Sequence, residues 1–100
     1  MDDLTKLPLV SRAQLLECDG VRSERIWIAC DGLVFDVSKS RGFYGPGGNY
    51  HGFAGQDCTR ALAMGFTSRE DVLAHQGGKE GLTVSQLMKI DDWLDVFESK

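Results

Sequence analysis

The chain is poor in the residues that most often announce a chemistry. Its 100 residues include three cysteines, two histidines and two prolines. Cys18, Cys30 and Cys58 are odd in number and contain no Cys-x-x-Cys pair, so neither a disulfide framework nor a structural zinc site is indicated. A reducing compartment is the simpler expectation, with Cys30, at the end of an apolar run, a small core residue. No serine sits in a nucleophile-elbow pattern, and the spacing of His51 and Cys58 along one loop gives no sign of contact. No stretch reaches the ~18 apolar residues of a membrane span, and Met1-Asp2-Asp3 lacks the basic start of a signal peptide. The sequence as given is therefore expected to be cytoplasmic, or a domain cut from a longer, anchored protein.

Charge excludes further classes. Eleven basic against fifteen acidic residues leave a net charge of −4. Lys39, Arg41 and Lys100 form no stripe, so nucleic acid has no electrostatic footprint. The acidic balance also argues against an anionic membrane surface. Gly-x-Gly-x-x-Gly fails, because after Gly45 and Gly47 the third glycine would stand at Tyr50. Walker A fails as well, since no Gly-Lys-Ser/Thr occurs.

What is present suits one small globular domain over residues 1–100, with 42% hydrophobic content. Ser11 to Gln14 is a capping box, with Val10 and Leu15 as a staple, and predicts a helix to about Glu17. Ile26 to Cys30 reads as a strand, Asp31-Gly32 as a hairpin turn, and Leu33 to Val37 as the returning strand. Asp57 is placed to cap a helix over Cys58 to Met64. Thr67 with Glu70, and Thr83 with Gln86, make two more capping boxes. The first opens a short helix ending near Gln76; the second opens one with a stripe of Leu87, Ile90, Trp93, Leu94 and Phe97. A small sheet with several short helices is an α+β class.

Between sheet and helices lies Phe43 to Asp57, FYGPGGNYHGFAGQD, with five glycines among two tyrosines, a histidine and two phenylalanines. Such a loop suits close approach of backbone to a large flat ligand, because glycine removes the intervening side chains. Haem or another flat apolar ligand would need apolar walls, and Phe43, Phe53, Leu62 and Phe66 are available. Iron would also need an axial ligand, for which Tyr44, Tyr50, His51, His75, Met64 and the cysteines are candidates. The plainer alternatives stand beside these. Tyr44 and Tyr50 could cover a core edge with their hydroxyls in water. His51 is expected to be exposed, His75 to meet a helix dipole, and Met64 to be core.

The segments IWIACDGLVFDVS, FYGPGGNYHGFAGQDCTRAL and IDDWLDVF together resemble the membrane-associated progesterone receptor family. That family is a branch of the cytochrome b5-like haem and steroid-binding fold, and the resemblance covers nearly all of residues 10 to 100. It implies a b5-like fold holding one haem b. In ordinary cytochrome b5 two histidines ligate the iron, the first within His-Pro-Gly-Gly. Here Gly45 precedes Pro46-Gly47, and GFTSRE, where the second histidine would fall, has none.

By the resemblance, Tyr50 maps onto the sole axial ligand, Tyr44 onto a tyrosine that hydrogen-bonds near the haem, and Lys100 onto a lysine that assists binding. The tyrosine that usually follows that lysine is not in the sequence given, nor is the usual N-terminal endomembrane anchor. The resemblance further implies a non-enzymatic adaptor that associates with haem monooxygenases, binds steroids or other apolar small molecules, and in some members dimerises through stacked haem. Two rivals remain: a bis-histidine electron-transfer cytochrome using His51 and His75, and a haem-free steroid or protein-interaction module.

Overall fold

A computed structural model describes residues 11–98 and the strand Lys6–Leu7. The staple residue Val10 and the site residue Lys100 lie outside the described residues. Strand β1 is Lys6–Leu7, followed by helix α1 (Arg12–Glu17), β2 (Trp27–Cys30) and β3 (Leu33–Asp36). After these come α2 (Arg41–Tyr44), α3 (Thr59–Met64), α4 (Arg69–Ala74) and α5 (Val84–Glu98). Short 3-10 turns occupy Ser38–Ser40 and His51–Phe53. Among the described residues no helix is long and apolar enough to cross a membrane.

The hairpin forms where the sequence places it. Asp31 (φ 53°) and Gly32 (φ 78°) both take left-handed conformations, the pair that a tight hairpin turn demands. Alternation then sends Ile28, Cys30 and Phe35 into the core, with Ile26 and Val37 beyond the strand ends. The sheet has a third strand that sequence reasoning missed: β1 pairs antiparallel with β3, giving the order β1-β3-β2. A two-residue strand carries too little pattern to detect.

All three helix-opening boxes find a counterpart, one of them displaced. Ser11 and Gln14 close a reciprocal capping box on α1, as do Thr83 and Gln86 ahead of α5. For α4 the cap is Ser68, whose hydroxyl accepts from Asp71 N at 3.2 Å, and not Thr67 with Glu70. The one-residue shift still puts Glu70 and Asp71 in the first turn, where the helix dipole favours them. Asp57 acts just outside α3: its Oδ1 accepts from Thr59 N at 3.1 Å and from the Thr59 hydroxyl at 2.8 Å.

The aromatic loop is fastened at both ends. Tyr50 N donates to Phe43 O at 2.8 Å, folding the loop back on itself. At the far end, Gly55 N donates to Trp27 O, Gln56 O accepts from Ala29 N, and Cys58 N donates to Ala29 O, all within 3.0 Å. Residues 55–58 thus run along the free edge of β2, leaving no bare ladder there. Helix α5 closes the other side, with Ile90 and Phe97 fully buried and Leu87, Trp93 and Leu94 packed against the core.

Two of the loop glycines are required by this folding. A Cβ at Gly48 would lie 2.3 Å from Phe43 O, and one at Gly52 would lie 2.4 Å from Thr67 O. These two glycines let backbone approach backbone. Gly47 is different: it has open space and a φ of 85°. Gly48→Ala should therefore cost about 3 kcal/mol through forced separation of the loop strands. Gly47→Ala should cost only about 1 kcal/mol, for the left-handed conformation. Urea unfolding midpoints of the two variants check the contrast.

Candidate functional site

Loop, α3 and α5 converge on a cluster of rings. Tyr50 stacks on Phe53 with centroids 5.7 Å apart and planes 4° from parallel. Trp93 meets both edge-on, at 5.3 Å from Tyr50 and 5.6 Å from Phe53. Phe97 continues the cluster inward to Tyr44 at 6.1 Å and Phe35 at 5.5 Å. Edge-to-face pairs of this kind contribute about 0.5–1.5 kcal/mol each beyond area burial.

Two cavities open beside the cluster and share Tyr50 and Trp93. The larger, about 340 Å³, has walls of Phe53, Leu62, Phe66 and Trp93 and a rim of Thr67, Lys89 and Asp92. The smaller, about 180 Å³, lies among Phe43, Tyr44, Tyr50, Trp93 and Val96. Phe66 reaches the larger cavity because α3 ends abruptly. Gly65 takes φ 81°, its N–H donates to Leu62 O, and Phe66 N donates to Ala61 O, the paired bonds of a Schellman turn.

Of the expected site residues, Tyr50, Phe53, Leu62 and Phe66 therefore come together around the larger cavity. Phe43 does not; it is half exposed and borders the smaller one. Tyr44 is only 1% exposed, so it does not cover a core edge with its hydroxyl in water. Beyond Trp93, which sequence reasoning placed only in the apolar stripe of the last helix, the side chains it missed are Thr67, Lys89, Asp92 and Val96. Three of them lie on α5, where Lys89, Asp92, Trp93 and Val96 follow the i, i+3, i+4, i+7 spacing of one helix face. That spacing was available as a signal, but it was obscured by the stronger apolar stripe one residue over.

The histidines line neither cavity, although the His75 ring packs against Phe66, a wall of the larger one, with centroids 4.4 Å apart. Tyr44 O accepts from His51 Nδ1 at 2.9 Å, so His51 is half-buried and pins the loop, not freely exposed. Asp71 O accepts from His75 Nδ1 at 2.9 Å, at the C-terminal end of α4, as a dipole partner would. Among the described residues no group of three or more His, Cys, Asp and Glu is arranged to hold a metal ion. All three cysteines are buried and free, and burial pushes each thiol up, Cys30 to about 12. They are inert thiols, which disposes of a Cys58–His51 nucleophile pair.

Burial also separates the tyrosines. Desolvation, reinforced by Tyr50, pushes the Tyr44 phenol up to about 12 from an ordinary 10.0. Tyr44 is a neutral hydroxyl at any ordinary pH. A raised native value means that stability is complete below the unfolded value and falls as pH rises from about 10 towards 12. Tyr44→Phe should remove that loss. Urea midpoints of the two proteins, compared at about pH 9 and about pH 11, give the measurement.

Sheet order, short helices and a loop folded onto a sheet edge together describe one chain fold. Known proteins resemble it in sequence and in fold. The Cytochrome b5-like Heme/Steroid binding domain matches this chain over residues 11–89. Probable steroid-binding protein 3 of Arabidopsis thaliana is 41% identical over 88 residues, covering 87% of this chain and 85% of that protein. Human membrane-associated progesterone receptor component 2 is 37% identical over 90 residues, which are 90% of this chain but only 40% of the relative's length. A solved Arabidopsis thaliana structure described as having a cytochrome b5 like fold superposes with a TM-score of 0.78 at 39% identity, covering 94% of this chain and 84% of that one. With a family match over most of its length and relatives near two-fifths identity, the chain belongs to the cytochrome b5-like haem/steroid-binding family, in the branch of membrane-associated progesterone receptor and steroid-binding proteins.

Proposed function

We propose that the domain binds one haem b in the larger cavity, with Tyr50 as the axial ligand. The observation that carries this reading is the position of Tyr50, which borders both cavities and lies in a stack of aromatic rings. The donor set fits the group. The walls are apolar, the histidines are turned to backbone carbonyls, and a phenolate is a hard anion suited to ferric iron. When bound, the haem would supply a ferric centre of lowered reduction potential, which suits a binder or sensor better than an electron shuttle.

The chain's own residues supply the rest. Phe53, Leu62 and Phe66 offer the flat apolar contacts, while Phe43 and Tyr44 support Tyr50 from the side of the smaller cavity. Tyr44, held neutral by burial, serves as a phenol and not as a second phenolate ligand. Lys100 keeps the haem-edge role that the family resemblance gives it. On this reading the module is non-enzymatic. Its partners would be haem monooxygenases, a steroid or similar apolar ligand, and a second copy stacked through haem.

Hemin added to the purified protein should give a five-coordinate, high-spin ferric spectrum with a tyrosinate charge-transfer band. Tyr50→Phe should abolish the band and weaken binding by more than the roughly tenfold typical of losing an outer-shell partner. His51→Ala and His75→Ala should keep the tyrosinate band of the bound form, even where loss of the loop pin or of the Phe66 contact lowers affinity. A low-spin six-coordinate spectrum would support the bis-histidine rival, and no Soret shift the haem-free one.

A further inference from the structure

Helix α5 is an acidic helix with one exception. Its sequence carries Asp91, Asp92, Asp95 and Glu98 against a single basic residue, Lys89. That one cation lies on the rim of the larger cavity, one turn before Trp93, and so does Asp92 three residues on. The other acids of the helix do not line it. Lys89 and Asp92 have the i, i+3 spacing of a helix ion pair, yet the ion pairs among the described residues are Arg22–Asp19 and Lys79–Asp31. The rim thus holds one exposed ammonium and one exposed carboxylate, next to Thr67, over walls that are otherwise apolar.

We propose that Lys89 and Asp92 form a charge selector at the mouth of this cavity. Lys89 holds one carboxylate of a flat apolar acid, and Asp92 repels a second acid group brought to the same edge. The pair therefore reads the number of carboxylates at the margin of a flat ring ligand, favouring one acid group there over two. The inference rests on the larger cavity being the ring-ligand site proposed above, and not on iron ligation by Tyr50. Lys89 is distinct from Lys100, since it projects from within α5 and needs nothing beyond the described residues. Long basic side chains suit such a place, because the stem can lie on apolar surface while the charged head stays in water.

The test uses metal-free protoporphyrin IX, a dicarboxylic acid, and its uncharged dimethyl ester. Neither needs an iron ligand. Trp93 lines the cavity, so quenching of tryptophan emission reports entry; Trp27 borders a separate pocket. Lys89→Met should weaken binding of the diacid roughly threefold, the scale of an exposed charge contact, and should flatten its dependence on salt. Asp92→Asn should tighten it by a similar factor. Ester affinity should be the same in all three proteins.

Opposite signs on the diacid, with none on the ester, are what a merely structural role would not produce. The selector is overturned if both substitutions move the diacid in one direction, if neither moves it, or if the ester follows the diacid. If the charge pattern holds while hemin gives no tyrosinate spectrum, the iron reading fails and the selector stands. If neither porphyrin quenches emission in any of the proteins, the cavity is not a ring-ligand site and both readings fall.

Discussion

The edge of Trp93 set against Tyr50 and Phe53 joins the last helix to the aromatic loop, and the site exists because of that contact. Loop and helix are far apart in sequence and share no backbone hydrogen bond among those described. What aligns them is ring geometry, at 5.3 and 5.6 Å. The same indole divides the space beside the loop into two cavities and forms a wall of each. Its partners are fixed from behind: Phe53 is wholly buried, and Phe97 anchors the next turn of α5 against Phe35 and Tyr44. A cavity defined by three interlocked rings keeps its shape better than one lined by flexible side chains, because aromatic residues have only two rotatable bonds to lose.

Two tyrosines six residues apart end in opposite conditions. Tyr44 closes α2 and is driven into the core, where burial keeps its phenol neutral. Tyr50 follows the Gly47–Gly48 turn, and the bond from its N–H to Phe43 O brings its ring back over Tyr44 at 6.0 Å. The division of labour is set by backbone path, not by residue type. Gly48 is the reason that path is open, since any side chain there would strike Phe43 O. The glycine-rich loop is thus first a folding device, and its ring placement follows from how tightly it folds.

Much of this was legible in the residues. The hairpin turn, the capping boxes and the stripe of α5 are local rules in which a few neighbouring side chains satisfy nearby backbone groups, so short sequence windows contain them. The shift from Thr67 to Ser68 shows the limit. Both residues can cap, and a short window cannot choose between them, whereas in the fold residues 67–69 also lie close against Gly52, a long-range contact. Strand β1 was missed for the same kind of reason, since its two residues have meaning only beside β3. Within the site, Tyr50, Phe53, Leu62 and Phe66 could be named because aromatic and apolar types suggest walls. Thr67, Lys89 and Asp92 could not, because exposed polar residues gain a role only from what the fold puts next to them.

The site and the core are also the same material. Phe53 and Leu62 belong to the buried cluster and line the larger cavity. Tyr50 and Trp93 pack against that cluster while facing the open space. A small domain has one modest core, so a cavity cut into it forgoes packing contacts that its lining would otherwise make. A ligand that fills the space restores those contacts, and by mass action it stabilises the folded chain by an amount that grows with the logarithm of its free concentration relative to Kd. Binding and folding are therefore coupled through Phe53, Leu62 and Trp93. A variant that loosens any of the three would reduce both at once, whereas the exposed charges at the rim can alter ligand choice while leaving the core intact.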